Sequence, residues 1–193
     1  MLQFLVSSYL WRGSQLDKAS LQPDMWLGWE GLTLDVWGSA GVVGDLSMRE
    51  IDLSLSYEIK GFSIRFTDYY CPAAENNLFF SAAPHTLEVG IGYACRFLAV
   101  NWYTNVFNDD DYSSYLEISA PFTLGPVDFS AALGCSPYHS DFYGTKSFNV
   151  INCSITAGHE FSLGPVTIPL SAQLMVNPTT SKAFFAASVG LSF

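Results

Sequence analysis

Apolar and polar residues change places at almost every step along this chain. In EIDLSLSYE (50–58), Glu50, Asp52, Ser54, Ser56 and Glu58 share one parity, and Ile51, Leu53, Leu55 and Tyr57 the other. TLEVGIGYA (86–94) sets Thr86, Glu88, Gly90 and Gly92 against Leu87, Val89, Ile91 and Tyr93. LEISAPF (116–122) sets Glu117 and Ser119 against Leu116, Ile118, Ala120 and Phe122. Successive side chains on a strand point to opposite faces, so a period of two means strands with one apolar and one polar face. The period recurs from end to end and no helical period competes with it.

That pattern alone fits either a soluble β-sandwich or lipocalin-like barrel, or a transmembrane barrel. Composition separates them. Apolar residues make up 49% of the 193 residues and aromatics 16%, while charged residues supply only 13%. The charged share is about half that of ordinary soluble domains. A surface so poor in charge is greasy, yet no apolar run approaches the ~18 residues of a spanning helix. An apolar chain without a membrane helix is reconciled by a closed barrel, with apolar residues facing lipid and polar ones facing the lumen. The chain length suits one domain over residues 1–193.

Twelve strands are predicted near 2–12, 22–30, 32–40, 49–59, 62–70, 85–95, 98–107, 113–123, 127–137, 147–162, 166–177 and 182–193. Their connections alternate short and long. Glu30-Gly31, Lys60-Gly61, Arg96-Phe97 and the two LGP segments (124–126 and 163–165) are tight. The segments 13–20, 40–47, 71–84, 108–113, 136–146 and 177–181 are longer. Five tight turns and six longer loops are what a twelve-stranded up-and-down barrel needs when both termini lie on the tight-turn side. Bacterial outer-membrane barrels carry that asymmetry and an even strand number. The expectation is six outer loops and no plug domain. Trp26, Trp29, Phe62, Tyr93, Phe97, Phe122, Phe129 and Phe161 fall at strand ends, where an interfacial girdle would sit.

Eighteen acidic and eight basic residues give a net charge of −10, which argues against nucleic acid and against a polybasic membrane-surface mode. The opening MLQFLVSSYLWRG has neither the basic region nor the small-residue cleavage site of a secretory signal, so an exported chain would begin here in mature form. The last strand places Phe185, Ala187, Val189, Leu191 and Phe193 on one face. An alternating terminal strand closed by an aromatic looks like the sorting signal read by the barrel-assembly machinery, with Phe193 as its end.

The first third also resembles a family. SSYLWRG (7–13), QPDMWLGW (22–29), GLTLDVWGS (31–39), EIDLSLSY (50–57) and DYY (68–70) follow one another. This is similar to the TorF-like porins, whose opening reads roughly S-x-Y-x-x-R-G, Q-P, an aromatic-Gly/Ala-x-W-x-S strand, then E-x-D-x-x-x-x-Y. The resemblance covers about 7–70 and implies an outer-membrane barrel with a transport role. The four cysteines depart from it.

The residues expected to line the pore are Arg12, Asp35, Glu50, Asp52, Glu58, Arg65, Glu88, Asn101, Glu117, Asp128 and Glu160. Carboxylates facing a narrow wet space favour cations, and twelve strands enclose more than a side-chain-filled eight-stranded barrel but less than a sixteen-stranded porin. Arg12 and Arg65 are expected to be tied to carboxylates across the lumen. The preferred function is passive diffusion of small, mainly cationic solutes through the outer-membrane lipid. The alternative is a non-conducting barrel acting through its outer loops by binding or as membrane structure. A lipid-acting hydrolase is a third reading. It would need His85, His139 or His159 in a nucleophile arrangement, and none lies in such a motif, so no enzyme activity is expected. NDDDY (108–112) lacks calcium-loop spacing, and the absence of C-x-x-C argues against zinc. No cofactor and no metal are expected. Cys135 and Cys153, symmetric about residue 144, are candidates for a cross-strand bridge, and Cys71 and Cys95 for free thiols.

Overall fold

The computed structural model describes residues 2–43, 49–72 and 79–192, and all the regular structure in them is strand. In chain order the strands are β1 (Leu2–Val6), β2 (Tyr9–Trp11), β3 (Ser14–Asp17), β4 (Ser20–Gln22), β5 (Asp24–Trp29), β6 (Leu32–Gly41), β7 (Arg49–Ile59), β8 (Phe62–Tyr70), β9 (His85–Ala94), β10 (Ala99–Phe107), β11 (Ser114–Leu124), β12 (Val127–Ser136), β13 (Asn149–Leu163), β14 (Val166–Asn177) and β15 (Lys182–Leu191). From β5 to β15 each strand pairs antiparallel with the next. β1 pairs with β15 on one side and β4 on the other, and β4 in turn reaches β6. The ring therefore closes through β1 and β4, while β5 pairs with β6 alone and its other edge carries no ladder among the described residues. β4 and β5 share one position in it, broken at Pro23, which has no N–H to give the ladder. Its carbonyl still accepts from Gly38 N at 3.0 Å. Twelve wall positions result, as the alternation predicts.

The turns explain the register. Glu30-Gly31 and Lys60-Gly61 both sit at positive φ, 45° and 87°, then 52° and 85°. Two consecutive left-handed residues make the two-residue turn whose twist matches an antiparallel hairpin. At the other tight ends Gly125 and Gly164 precede proline with φ of 58° and 64°. Leu2 pairs with Leu191 beside these turns, so the first and last strands both start or finish at the tight-turn end.

Inside and outside are reversed relative to a water-soluble globule. Among the described residues, sixteen polar or charged side chains are buried and only eight apolar ones. Leu53, Leu55, Ile64, Phe66, Ile91, Ile118, Leu133, Leu174 and Phe185 stand exposed on the outer face of successive strands. Glu50, Ser54, Thr67 and Glu88, of the opposite parity, are buried inside. At the tight-turn end the outer aromatics form a rim. Phe62 packs on Tyr93 with ring centroids 4.7 Å apart, and Phe122 stacks on Phe129 at 5.2 Å. Trp26 does not join that rim. It pairs with Asp35, whose side chain faces inward, so its parity directs it to the lumen side.

Three further expectations are corrected. The predicted first strand, 2–12, ends at Val6, and β2 and β3 form a separate hairpin that turns into the barrel. The segment expected as an outer loop, 13–20, is half of that hairpin, so the lumen does contain an inward element. Cys135 and Cys153 are not opposite each other. The regular ladder already sets Leu133 opposite Cys153, and a bulge after Gly134 then sets Cys135 opposite Val150. The terminal Phe193 lies outside the described residues.

All four cysteines are free. Alkylation of the unfolded, unreduced protein is therefore expected to label four thiols by mass spectrometry. A two-thiol shortfall would contradict the bulged register.

Candidate functional site

The inward hairpin is built like the wall hairpins. Arg12 and Gly13 form its turn, with φ of 41° and 87°, the same geometry as Glu30-Gly31 and Lys60-Gly61. Tyr9 pairs with Asp17 and Trp11 with Ser14, and Gln15 Nε2 donates to Ser8 Oγ at 2.6 Å. The tip rests against β13 and β14, and the Arg12 side chain reaches across the lumen to β9. Asn177 Nδ2 donates to the Gly13 carbonyl at 3.0 Å. A Cβ at position 13 would lie 1.9 Å from the Ile151 carbonyl oxygen, so only glycine both adopts this φ and fits the approach.

Arg12 is the anchor. Its guanidinium donates through both terminal nitrogens to the Glu88 carboxylate, Nη2 reaching Oε1 at 2.9 Å, and to Tyr143 Oη at 2.8 Å. Tyr69 Oη donates to the same carboxylate at 2.9 Å. The side chains of Arg12 and Glu88 are only 9% and 3% exposed. The rings of Trp11, Tyr103 and Tyr115 lie 4.6, 4.4 and 4.8 Å from the guanidinium carbon, close enough for cation–π attraction. Gly90 and Gly134 make room for two of these rings: a Cβ on Gly134 would lie 2.0 Å from Tyr115 Oη, and one on Gly90 2.7 Å from the Tyr103 ring.

The loop between β12 and β13 closes over this assembly from the long-loop end. Phe142 and Tyr143 pack on Trp11. Ser140 and Thr145 bridge to each other, Ser140 Oγ donates to Ser113 Oγ at 2.7 Å, and Asp141 N donates to Asp111 Oδ2 at 2.8 Å. Burial pushes the Tyr143 phenol up to about 12, against the opposing pull of Arg12, so at neutral pH it is a hydroxyl, able to accept from Arg12. His139 Nε2 lies 3.5 Å from Asp111 Oδ2 and from Asp141 Oδ1, a surface cluster that includes part of NDDDY. The Ser140 hydroxyl is committed to Ser113 and to Tyr143 N instead. His85 is held by Asp68 at 2.9 Å and Phe79 O at 2.7 Å, and His159 by Pro126 O.

Below the hairpin, towards the tight turns, is a chamber of about 630 Å³. Of the residues expected to line the pore, Arg12, Asp35, Asp52, Arg65, Glu88 and Glu117 line it. Glu50 is buried beside Tyr9 and Cys71. Asn101 faces inward between Gly92 and Glu117. Glu58, Asp128 and Glu160 are exposed near the tight turns and do not line the chamber. Arg12 has its carboxylate; among the described residues Arg65 has none within salt-bridge distance, contrary to expectation. Glu117 accepts from Tyr115 Oη at 2.7 Å. Sequence reasoning missed Tyr69, Tyr103, Tyr115, Tyr143 and Asn152. Tyr69, Tyr103 and Tyr115 have inward parity and could have been found on that ground; nothing in the sequence points Tyr143 inward from its loop.

No protein-family model matches this chain, and no curated protein matches it. A solved structure from work described as "Unveiling the Mechanism Behind the in-meso Crystallization of Membrane Proteins" aligns with 97% of this chain and 80% of its own, at 11% identity and a TM-score of 0.49. The fold rests on the strand pairing itself.

Removing one member of a buried ion pair strands the other, at about 3–5 kcal/mol. Glu88→Gln and Arg12→Met are each expected to lower the urea midpoint of the refolded barrel. The double variant Arg12→Met/Glu88→Leu should recover part of the loss. Single variants with unchanged midpoints would contradict the anchoring role.

Proposed function

We propose that this protein is a bacterial outer-membrane β-barrel that admits small cationic solutes to an acidic lumen, with the β2–β3 hairpin as its outer constriction. The observation that carries the reading is the reversal of faces. Large apolar side chains stand exposed on the outer face of strand after strand, where monomeric soluble proteins rarely expose contiguous apolar patches of more than a few hundred Å², and the inner face is polar. The wall strands β6–β15 run 9 to 15 residues, and a tilted spanning strand needs about 9–11. Outer aromatics at the tight-turn end suit one interface.

Cation preference follows from the lining. Among the described residues Asp35, Asp52, Glu88 and Glu117 face only Arg12 and Arg65 there, and Arg12 is already matched by Glu88. Fixed carboxylates in a narrow wet space attract cations and repel anions. The hairpin and the loop above it narrow the long-loop end, which favours low conductance over that of an open porin. The likeness to the TorF-like porins lends support, because its motif residues meet in space. Tyr9, Arg12 and Gly13 build the hairpin, and Glu50 and Asp52 lie beside it on the wall. Assembly by the barrel-assembly machinery belongs to the same reading. The non-conducting alternative is favoured by one observation, the depth at which Arg12 is locked.

Two experiments test this. In lipid vesicles Leu55→Arg should cost about 2–4 kcal/mol of folding stability, the price of an arginine at mid-membrane, while Ser56→Arg on the inner face should cost less. Equal costs would count against a lipid-facing belt. In planar bilayers under a KCl gradient, the protein should give small cation-selective steps. Replacing 8–18 by a short Gly-Ser link should enlarge them. Anion-selective steps, or silence from both folded proteins, would overturn the channel reading.

A further inference from the structure

Two neighbouring loops at the long-loop end converge on one point. Asp111 comes from the loop between β10 and β11, and His139 and Asp141 from the loop between β12 and β13. His139 Nε2 lies 3.5 Å from Asp111 Oδ2 and 3.5 Å from Asp141 Oδ1, and the three donor atoms all lie within 4.8 Å of one another. The loops are fixed against each other by bonds that leave the imidazole out. Asp141 N donates to Asp111 Oδ2 at 2.8 Å, Ser140 Oγ to Ser113 Oγ at 2.7 Å, and Ser113 Oγ to Asp109 Oδ1 at 3.1 Å.

Acidic groups at a loop tip do not by themselves make a site, and NDDDY has no calcium-loop spacing. What sets this cluster apart is the imidazole and its distances. A histidine that simply pairs with a carboxylate closes to about 2.7–2.9 Å, as His85 does on Asp68 at 2.9 Å. His139 stands equally far from both aspartates, beyond that range on each side. Donors about 2.0–2.2 Å from a tetrahedral metal ion stand about 3.3–3.6 Å from one another, so 3.5 Å is the spacing of two ligands that share an ion. The other two histidines are engaged elsewhere, His85 by Asp68 and Phe79 O and His159 by Pro126 O. Among the described residues no other group of histidine, cysteine and acidic side chains brings three donor atoms so close.

We infer that Asp111, His139 and Asp141 form a binding site for a divalent transition-metal ion of the zinc type, which staples the two loops together. Three protein ligands with a fourth position left to water are the pattern of an open zinc site. An imidazole among the oxygens selects against magnesium and calcium, which take oxygen ligands. Asp109 and Asp110 add negative charge that draws a cation in. The staple has a mechanical consequence. Asp141 is followed at once by Phe142 and Tyr143, which pack on Trp11, and Tyr143 accepts a hydrogen bond from Arg12. A bound ion therefore holds the loop down on the inward hairpin. The inference rests on the donor geometry and is independent of whether the barrel conducts.

Isothermal titration calorimetry with zinc chloride tests it, on folded, tag-free protein in detergent micelles and in a cysteine-free background, so that thiols do not compete. One saturable site is expected, and His139→Ala and Asp141→Asn should each weaken it by about tenfold or more. Both side chains are exposed, and the heat-modifiable folded band on a gel checks that each variant is folded. Cobalt in place of zinc should give the intense visible bands of a four-coordinate site, lost in His139→Ala. No saturable heat with zinc, zinc binding unmoved by His139→Ala, or magnesium or calcium binding as tightly as zinc would each overturn the site. For the staple, zinc should slow chymotrypsin cleavage after Tyr138 and Phe142 by about fivefold or more in the parent protein and leave His139→Ala unchanged. Equal cleavage of the parent with and without zinc would overturn the stapling.

Discussion

The ion pair of Arg12 with Glu88 organises the outer half of this barrel. Two opposite charges taken out of water cost more than they return unless every remaining hydrogen-bond position is filled. Here Tyr69 donates to the carboxylate, Tyr143 accepts from the guanidinium, and three aromatic rings cover its faces. Each of those partners belongs to a different element, from β2, β8, β10 and β11 to the loop after β12. One pair of charges thus fixes the hairpin, the wall and the outer loop relative to one another. The glycines opposite Tyr103 and Tyr115 belong to the same arrangement, because a side chain there would occupy the ring positions.

A second constraint acts on the wall. The pleat gives every residue one of two environments, and ring closure makes those environments an inside and an outside for the whole strand. The consequence is a molecule whose polar side chains are the buried ones. Its apolar side chains are left for whatever surrounds it. In the reading proposed here that surrounding is lipid, and the charges left over on the inner face set the electrostatics of the lumen.

Much of this was legible in the sequence. Eleven of the twelve wall positions fall within two residues of where alternation and turn chemistry place them, because both signals are local. The failures share a cause, which is that parity says nothing about where a strand leaves the wall. The polar Ser7 and Ser8 interrupt the run, but Tyr9 to Arg12 still look like strand. The informative signal was Arg12-Gly13, the same residue-glycine pair that turns the chain at Glu30-Gly31 and Lys60-Gly61. The register of β12 against β13 was invisible for a related reason: a pairing offset does not show in composition, and the one adopted sets Leu133, not Cys135, opposite Cys153. Inward parity also overstated the pore lining. Glu58, Asp128 and Glu160 have the right parity, but they stand at the strand ends near the tight turns, beyond the chamber. That Arg65 has no carboxylate within salt-bridge distance among the described residues depends on distances that no spacing rule supplies.

The central claim is that the outer face meets lipid and the inner face meets water. It is tested most directly by a spin-label scan along β7, in a cysteine-free background reconstituted in vesicles, with single labels at 51 to 57. Oxygen, which partitions into lipid, should relax labels at 51, 53, 55 and 57 most strongly, and a water-soluble nickel complex those at 52, 54 and 56. Access of the nickel complex to both parities alike, or oxygen maxima at the even positions, would contradict the account.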